Sequence, residues 1–409
     1  MRKLLWHASF LAVTLQAQEP ATRAEQVGRE RREKAKTLEA EVPPKAERIV
    51  DKFTNEEMLE KIFGRVPGFR LRVGQLVTRS GFALGPEYHR PDLLGGTLIF
   101  RTGISASLRR YYKVDAYLGI PRVFGNPVSW ELYAKHLDAP RMDYYGPGRE
   151  SRKQGRSNFR LEETSFDFRA AWKARRSFQI GLTGGVLDIN VGPGKDLRFI
   201  STDLQYTPAQ TPGIQEQTNF LRGGPFLEWD MRDSPSDPHA GSRFMASYIY
   251  HHDREVGRYS FKRFTASADH YIPFLNKKRV IALRGKTEIS YRTPGSEVPF
   301  YLQPAVGGSE DLRGYRQFRF RDNNSLVVNA EYRWEAFPAL DLALFADGGK
   351  VFRRLREFDL RHTSISIGFG FRFKTRDSVA ARFDVGFSRE GFQIWFKFND
   401  VFTGPSWRR

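Results

Sequence analysis

Four stretches of the chain carry side chains that could do chemistry. His251-His252-Asp253 has metal-ligand residue types, but neighbours along a strand point to opposite faces, so the triplet reads as an ordinary polar cluster. Gly192-Pro193-Gly194-Lys195 lacks both the spacing and the following helix of a phosphate-binding loop, so it reads as a turn. Ser309 lies in Gly-Gly-Ser-Glu-Asp, without the glycine-flanked elbow that exposes a nucleophilic serine. The fourth stretch is a glycine-rich polar loop around Arg313, followed by Glu331 and Asp347. A guanidinium fork pairs best with carboxylates already held in place, and these two fall on predicted strands. With no cysteine anywhere, disulfides, thiolate metal sites and cysteine catalysis drop out, and the redox compartment stays open. The expectation is a chain with no enzymatic activity, cofactor or metal.

The elements that must position Arg313 are strands. Leu326, Val328, Ala330, Tyr332, Trp334 and Ala336 alternate with Asn329, Glu331, Arg333 and Glu335. Alternation with period two puts the first set on one face and the charged set on the other. The turn Phe337-Pro338-Ala339-Leu340 follows, and a second strand ends in Phe345-Ala346-Asp347-Gly348-Gly349.

This pattern resembles the BamA/TamA outer-membrane assembly factor superfamily, in which a long extracellular loop folds back into a barrel and carries the motif [VL]-R-G-[FY]. Leu312, Arg313, Gly314 and Tyr315 match that motif. The resemblance implies that Arg313 meets Glu331 on the next strand and Asp347 on the one after. Phe345, Asp347 and Gly349 would then fill the family's F-x-D-x-G pattern.

Composition fits a membrane barrel better than a helical membrane protein. Hydrophobic content is 40% and mean hydropathy is -0.53. Past the N-terminus, no apolar run is long enough to cross a bilayer as a helix. Barrel strands escape that test because only every second residue faces lipid, and 34 Phe with 16 Tyr would furnish its aromatic girdles. A net charge of +19 invites a nucleic-acid reading. The basic residues are instead spread along the chain between apolar ones, which argues against it. They are expected to coat a lumen and its rims, within reach of anionic lipopolysaccharide or acidic substrates.

Three segments are expected. Residues 1–18, with Arg2 and Lys3 before an apolar run, have the grammar of a signal peptide. Residues 19–67 are densely charged and contain one short amphipathic helix that starts at the capping pattern Thr54-Asn55-Glu56-Glu57. That segment is too short for a POTRA domain, the module preceding the barrel in most of the resembling family, and so implies a short member without one. Residues 68–409 read as strand, turn, strand. At roughly twenty residues per strand with its connection, sixteen antiparallel strands fit, an even number as in single-chain bacterial barrels and the family's own number. The fold class is therefore all-β: a sixteen-stranded transmembrane barrel with an in-folded extracellular loop and a short N-terminal helical segment.

The first strands are expected near 70–79 and 80–89. Long polar connections at 139–158 and 191–219 are assigned to the outside, and short ones near Pro121 and Phe274 to the periplasmic side. Asp230-Met231-Arg232, with Pro238 and Gly241, resembles the family's mid-barrel turn. The last strand begins at Gly391, and Phe392, Ile394, Phe396, Phe398 and Phe402 read as a targeting and seam strand.

The resemblance implies a protein of the Gram-negative outer membrane that helps insert proteins into that membrane or move them across it. Its partners would be outer-membrane lipids and lipopolysaccharide, with nascent outer-membrane proteins or a secreted substrate as clients. The gate would lie between Phe392–Phe398 and the strand near Ser80–Tyr88, where unpaired backbone groups could template a client strand. The alternatives are a passive, anion-leaning pore and a structural or adhesion barrel.

Overall fold

The computed structural model describes residues 68–397 apart from 75, 78, 79, 338 and 375–378. The expected signal peptide, the 19–67 segment with its helix, and Phe398 and Phe402 lie outside the described residues.

The first half of the chain contributes β1 (Phe69–Gly74), β2 (Ala83–Asp92), β3 (Leu98–Ser107), β4 (Tyr112–Ile120), β5 (Val128–Tyr144), β6 (Ser157–Arg175), β7 (Phe178–Pro193) and β8 (Thr218–Asp230). Then follow β9 (Gly241–Asp253), β10 (Phe261–Phe274) and β11 (Arg279–Arg292). Two short strands, β12 (Ala305–Val306) and β13 (Phe320–Arg321), pair only with each other. The chain closes with β14 (Asn324–Phe337), β15 (Leu340–Phe352), β16 (Ser364–Lys374), β17 (Val379–Ser388) and β18 (Gly391–Lys397). All except β12 and β13 join one sixteen-stranded antiparallel sheet whose order follows the chain.

The sheet is curled into a barrel. Lys153, between β5 and β6, donates to the Glu390 carbonyl between β17 and β18 at 2.7 Å. These hairpins lie far apart in the sheet order, so they meet only because the wall bends round. Alternation sets the two faces: in β16, Ile365, Ile367 and Phe369 are exposed, while Ser366, Gly370 and Arg372 are buried. In β14, Val328 is exposed and Asn329, Glu331 and Arg333 are buried. A water-soluble sandwich would hide the apolar rows, whereas here they line the outside. Trp130, Trp172, Trp229 and Trp334 all sit near the end of the barrel with the short turns, with Trp229 6.1 Å from Phe244 and Trp334 5.5 Å from Tyr332. This is the aromatic girdle of a lipid interface. At the other end Tyr248 and Tyr291 pair at 6.4 Å.

Two expected boundaries move. The first two strands are 69–74 and 83–92 rather than 70–79 and 80–89, because Ser80 is spent on a turn, accepting the Leu76 N–H at 3.1 Å. The strand near Ser80–Tyr88 is therefore mostly β2, and the sheet's first edge is β1. The connection drawn at 139–158 also shrinks, since β5 runs on to Tyr144 and β6 starts at Ser157. The turn after β8 is knotted by Asp233, whose Oδ1 accepts the N–H groups of Ser234, His239 and Ala240. Gly241 (φ 97°) ends it in left-handed backbone, where a Cβ would lie 2.2 Å from the Met231 carbonyl oxygen.

The long connections 145–156 and 194–217, with the stretch around Phe300, pack over one mouth. Tyr144 donates to the Gln210 carbonyl at 2.7 Å, and Phe300 sits edge-on to both Tyr144 and Phe159. Asn158 holds the start of the second loop, accepting the Asp196 N–H at 3.0 Å and donating to the Phe199 carbonyl at 3.1 Å. The two-pronged bond from Arg198 pulls the Asp196 carboxyl from its ordinary value down to about 2. A depressed carboxylate stabilises above its unfolded value and loses that contribution as pH falls through the folded one. Amide protection factors across 194–206, corrected for intrinsic exchange, should therefore be flat at neutral pH and fall only as pH drops from near 4 towards 2. In Asp196→Asn the acid step should vanish.

Candidate functional site

The connection between β11 and β14 does not arch over the barrel but turns inward, and β12–β13 pin its neck. Leu312, Tyr315, Val306, Phe320, Val327 and Val351 form a small apolar cluster that seats the loop on the inner wall. Gly349 makes room for it: a Cβ there would lie 2.8 Å from Val306 and 3.1 Å from Leu312. Tyr315 closes the turn, its N–H donating to the Leu312 carbonyl at 3.0 Å.

Arg313 is fully buried between two strands. Its Nε and Nη2 donate to Asp347 at 3.0 and 2.7 Å, and its backbone N–H reaches the same carboxylate at 3.1 Å. Nη1 donates to Glu331 at 2.5 Å. Burial by itself would lower the guanidinium pKa, but Asp347 and Glu331 reverse that and raise it, so the charge is locked in. Beneath lies Phe345, whose ring centroid is 3.4 Å from the guanidinium carbon. Phe345 can lie flat because residue 368 is glycine, where a Cβ would fall 2.4 Å from its ring.

The network extends beyond the residues legible in the sequence. Glu331 also accepts from Arg333 at 2.7 Å and Arg372 at 2.9 Å, and Arg372 donates to Asp384 at 2.6 Å. Asn329 steadies Asp347 at 2.8 Å, and Arg382 holds the Ser309 carbonyl at 2.9 Å. Glu331 and Asp347 are thus each shared among several donors, the condition under which buried charge is tolerated.

The loop also grips the last two strands. Trp395 Nε1 on β18 donates to the Arg313 carbonyl at 2.7 Å, and Ser388 Oγ on β17 donates to the Gly314 carbonyl at 2.8 Å. Arg319 pairs with Glu390 at 2.8 Å. At Gly386 and Gly314 the loop and β17 backbones meet so closely that neither position has space for a Cβ. Sequence reasoning missed Trp395. The available signal was parity: an indole opposite Phe392, Ile394 and Phe396, on the face that carries Lys397. Trp395→Phe should leave the Arg313 carbonyl buried without a donor and lower stability by about 1–3 kcal/mol. The thermal unfolding midpoint in micelles measures this, with outward-facing Trp130→Phe as the unaffected control.

The other candidates stay apart from this centre. Phe392, Ile394 and Phe396 face outward, and Gly391 makes the tight turn before them at φ 111°. His251 is buried and stacked on Phe261 at 4.4 Å, His252 points outward, and Asp253 caps a turn by accepting the Glu255, Val256 and Tyr259 N–H groups. At the short-turn end Asp237, His239 and Asp341 converge, which their spacing did not foretell. Lys374 sits among them, 2.9 Å from Asp341 and 3.7 Å from Asp237, so an ammonium supplies the neutralising charge.

Fold and site together define a sixteen-stranded outer-membrane-type barrel with an arginine-pinned loop inside its lumen. The Omp85 superfamily domain is recognised over residues 92–399, and the chain belongs to that superfamily. Among solved structures it is similar to BamA from Haemophilus ducreyi lacking POTRA domains 1–3. That match has a TM-score of 0.59 and 13% identity over 83% of this chain and 77% of that one. It is also similar to CdiB from Escherichia coli, with a TM-score of 0.53 and 13% identity over 80% of this chain and 61% of that one. No curated protein sequence matches the chain.

Proposed function

We propose that the protein assists the insertion of proteins into the outer membrane, or their translocation across it, through the junction of β18 and β1. Nascent outer-membrane proteins or a secreted polypeptide are its clients. The observation that carries this reading is the grip of the buried loop on β17 and β18, next to the sheet's last edge. A strand edge that opens offers N–H and C=O groups to an incoming strand. The loop braces the wall while the junction parts. Superfamily membership supports this role in general terms, and the client is set by features outside the brace.

Three experiments test it. Reconstituted in liposomes, the protein should accelerate the folding of outer-membrane barrel clients. Failure with several clients in several lipids argues against the proposal. Because the chain has no cysteine, single cysteines at Gly391 and Gln393 should crosslink to client strands in the native membrane, and crosslinks confined to lipid-facing Phe369 would count against an active edge. A steady anion current across planar bilayers, without client folding, would favour a passive pore.

A further inference from the structure

The diving of residues 298–323 into the lumen leaves the top of β14 without a loop of its own. A cleft of about 650 Å³ opens there, between the 290–297 and 353–355 segments. Asn324 forms its floor and ties the walls together, accepting the Ser290 N–H at 3.0 Å and donating to the Phe352 and Arg353 carbonyls at 3.0 and 3.1 Å. Arg292, Arg353 and Arg354 line it, and among the described residues none of them has a carboxylate at ion-pair distance, Asp322 acting on Arg353 only from farther off. Glu297 is the one acidic residue in the described lining. Elsewhere in this barrel most guanidiniums near the loop are matched with carboxylates, so three unmatched ones in one cleft mark a place for an outside anion.

The side on which the cleft opens follows from parity. Lys350 lies on the outward register of β15, yet it is buried because the 353–363 segment folds down over it. Its ammonium bonds Asp359 and donates to the Asp359 and Arg361 carbonyls at 2.8 and 3.0 Å. Gly348, one step along that face, pairs with Ile365, where the exposed apolar row of β16 begins. The segment thus lies just above the greasy band, and it bares Leu355, Phe358 and Leu360, the last 72% exposed. Tyr291, on the outward face of β11, forms the lipid-side wall of the cleft. Cations above apolar side chains, at the edge of a lipid-facing belt, match a headgroup whose phosphates sit above acyl chains.

We infer that this cleft binds the phosphorylated saccharide headgroup of an outer-leaflet glycolipid, with Arg292, Arg353 and Arg354 on the phosphates and Leu355, Phe358 and Leu360 against the acyl chains. Its volume exceeds what one phosphate needs and accommodates sugar rings. The inference rests on the loop-bearing mouth facing the cell exterior, but not on any client being handled.

The test is native mass spectrometry of the full chain released from detergent, titrated with bisphosphorylated lipid A, its dephosphorylated form and inorganic phosphate. The bisphosphorylated lipid should bind, and the triple variant Arg292→Ala, Arg353→Ala, Arg354→Ala should bind it about tenfold more weakly or worse, with heat resistance unchanged because all three side chains are exposed. Equal binding by the variant overturns the site. Equal binding of dephosphorylated lipid A removes the phosphate assignment, and displacement by matching concentrations of inorganic phosphate makes it a free-phosphate site instead. A protein that binds the lipid but folds no client keeps this inference and loses the functional one.

Discussion

Arg313→Ala should destabilise the barrel by about 3–5 kcal/mol, the range for removing one partner from a buried ion pair. Asp347 would lose two donated bonds and Glu331 its bond to Nη1. Of the bonds from residue 313 only the backbone N–H would survive, and Arg333 and Arg372 already donate to the two oxygens of Glu331. The resulting negative charge sits where water has no access. Arg313→Lys should fall in between, because a compact ammonium cannot span two carboxylates as a planar fork does. Urea unfolding in micelles and retention of the compact band on heated gels both report the loss. Wild-type heat resistance in the alanine variant would mean that the brace bears no weight.

Gly386→Val should be nearly as damaging, at about 3 kcal/mol, the upper end of overpacking costs. Most crowded positions relieve strain by moving a flexible side chain. At Gly386 a Cβ would instead lie 2.4 Å from the Arg313 carbonyl carbon and 2.5 Å from its oxygen, and Gly314 faces the Phe387 backbone just as closely. Backbone pressed against backbone has nowhere to go except apart. The loop should lift, taking Arg313 off its carboxylates and the Trp395 bond with it. Trypsin added to proteoliposomes reads this directly: the wild-type bonds after Arg313 and Arg319 are buried and should resist cleavage, whereas the variant should be cut there. A variant that remains resistant would show that the loop tip tolerates displacement from β17.

The wall of the barrel was legible because a membrane imposes a period-two code. Leu326 to Ala336 alternate so regularly with Asn329 to Glu335 that strand and facing are both apparent from the sequence. The first strands were harder to place. Around Ser80 the polar residues serve a turn rather than an inner face, and alternation cannot distinguish the two. The trio Arg313, Glu331 and Asp347 was recognisable through the resemblance of its motifs to those of the superfamily. Its extension to Arg372, Asp384 and Arg382 was not, since those residues belong to strands whose distance from the loop depends on the curl of the whole sheet.

Local chemistry written in the sequence therefore determined the strand character, the oily outside and the charged inside, because each depends only on neighbours a few positions away. Only the tertiary structure decided that Trp395 reaches the loop, that two glycines let backbones touch, and that a cationic cleft opens above β14. Those contacts join residues up to 82 positions apart, and their distances are set by the path of the in-folded loop, which no short-range pattern encodes.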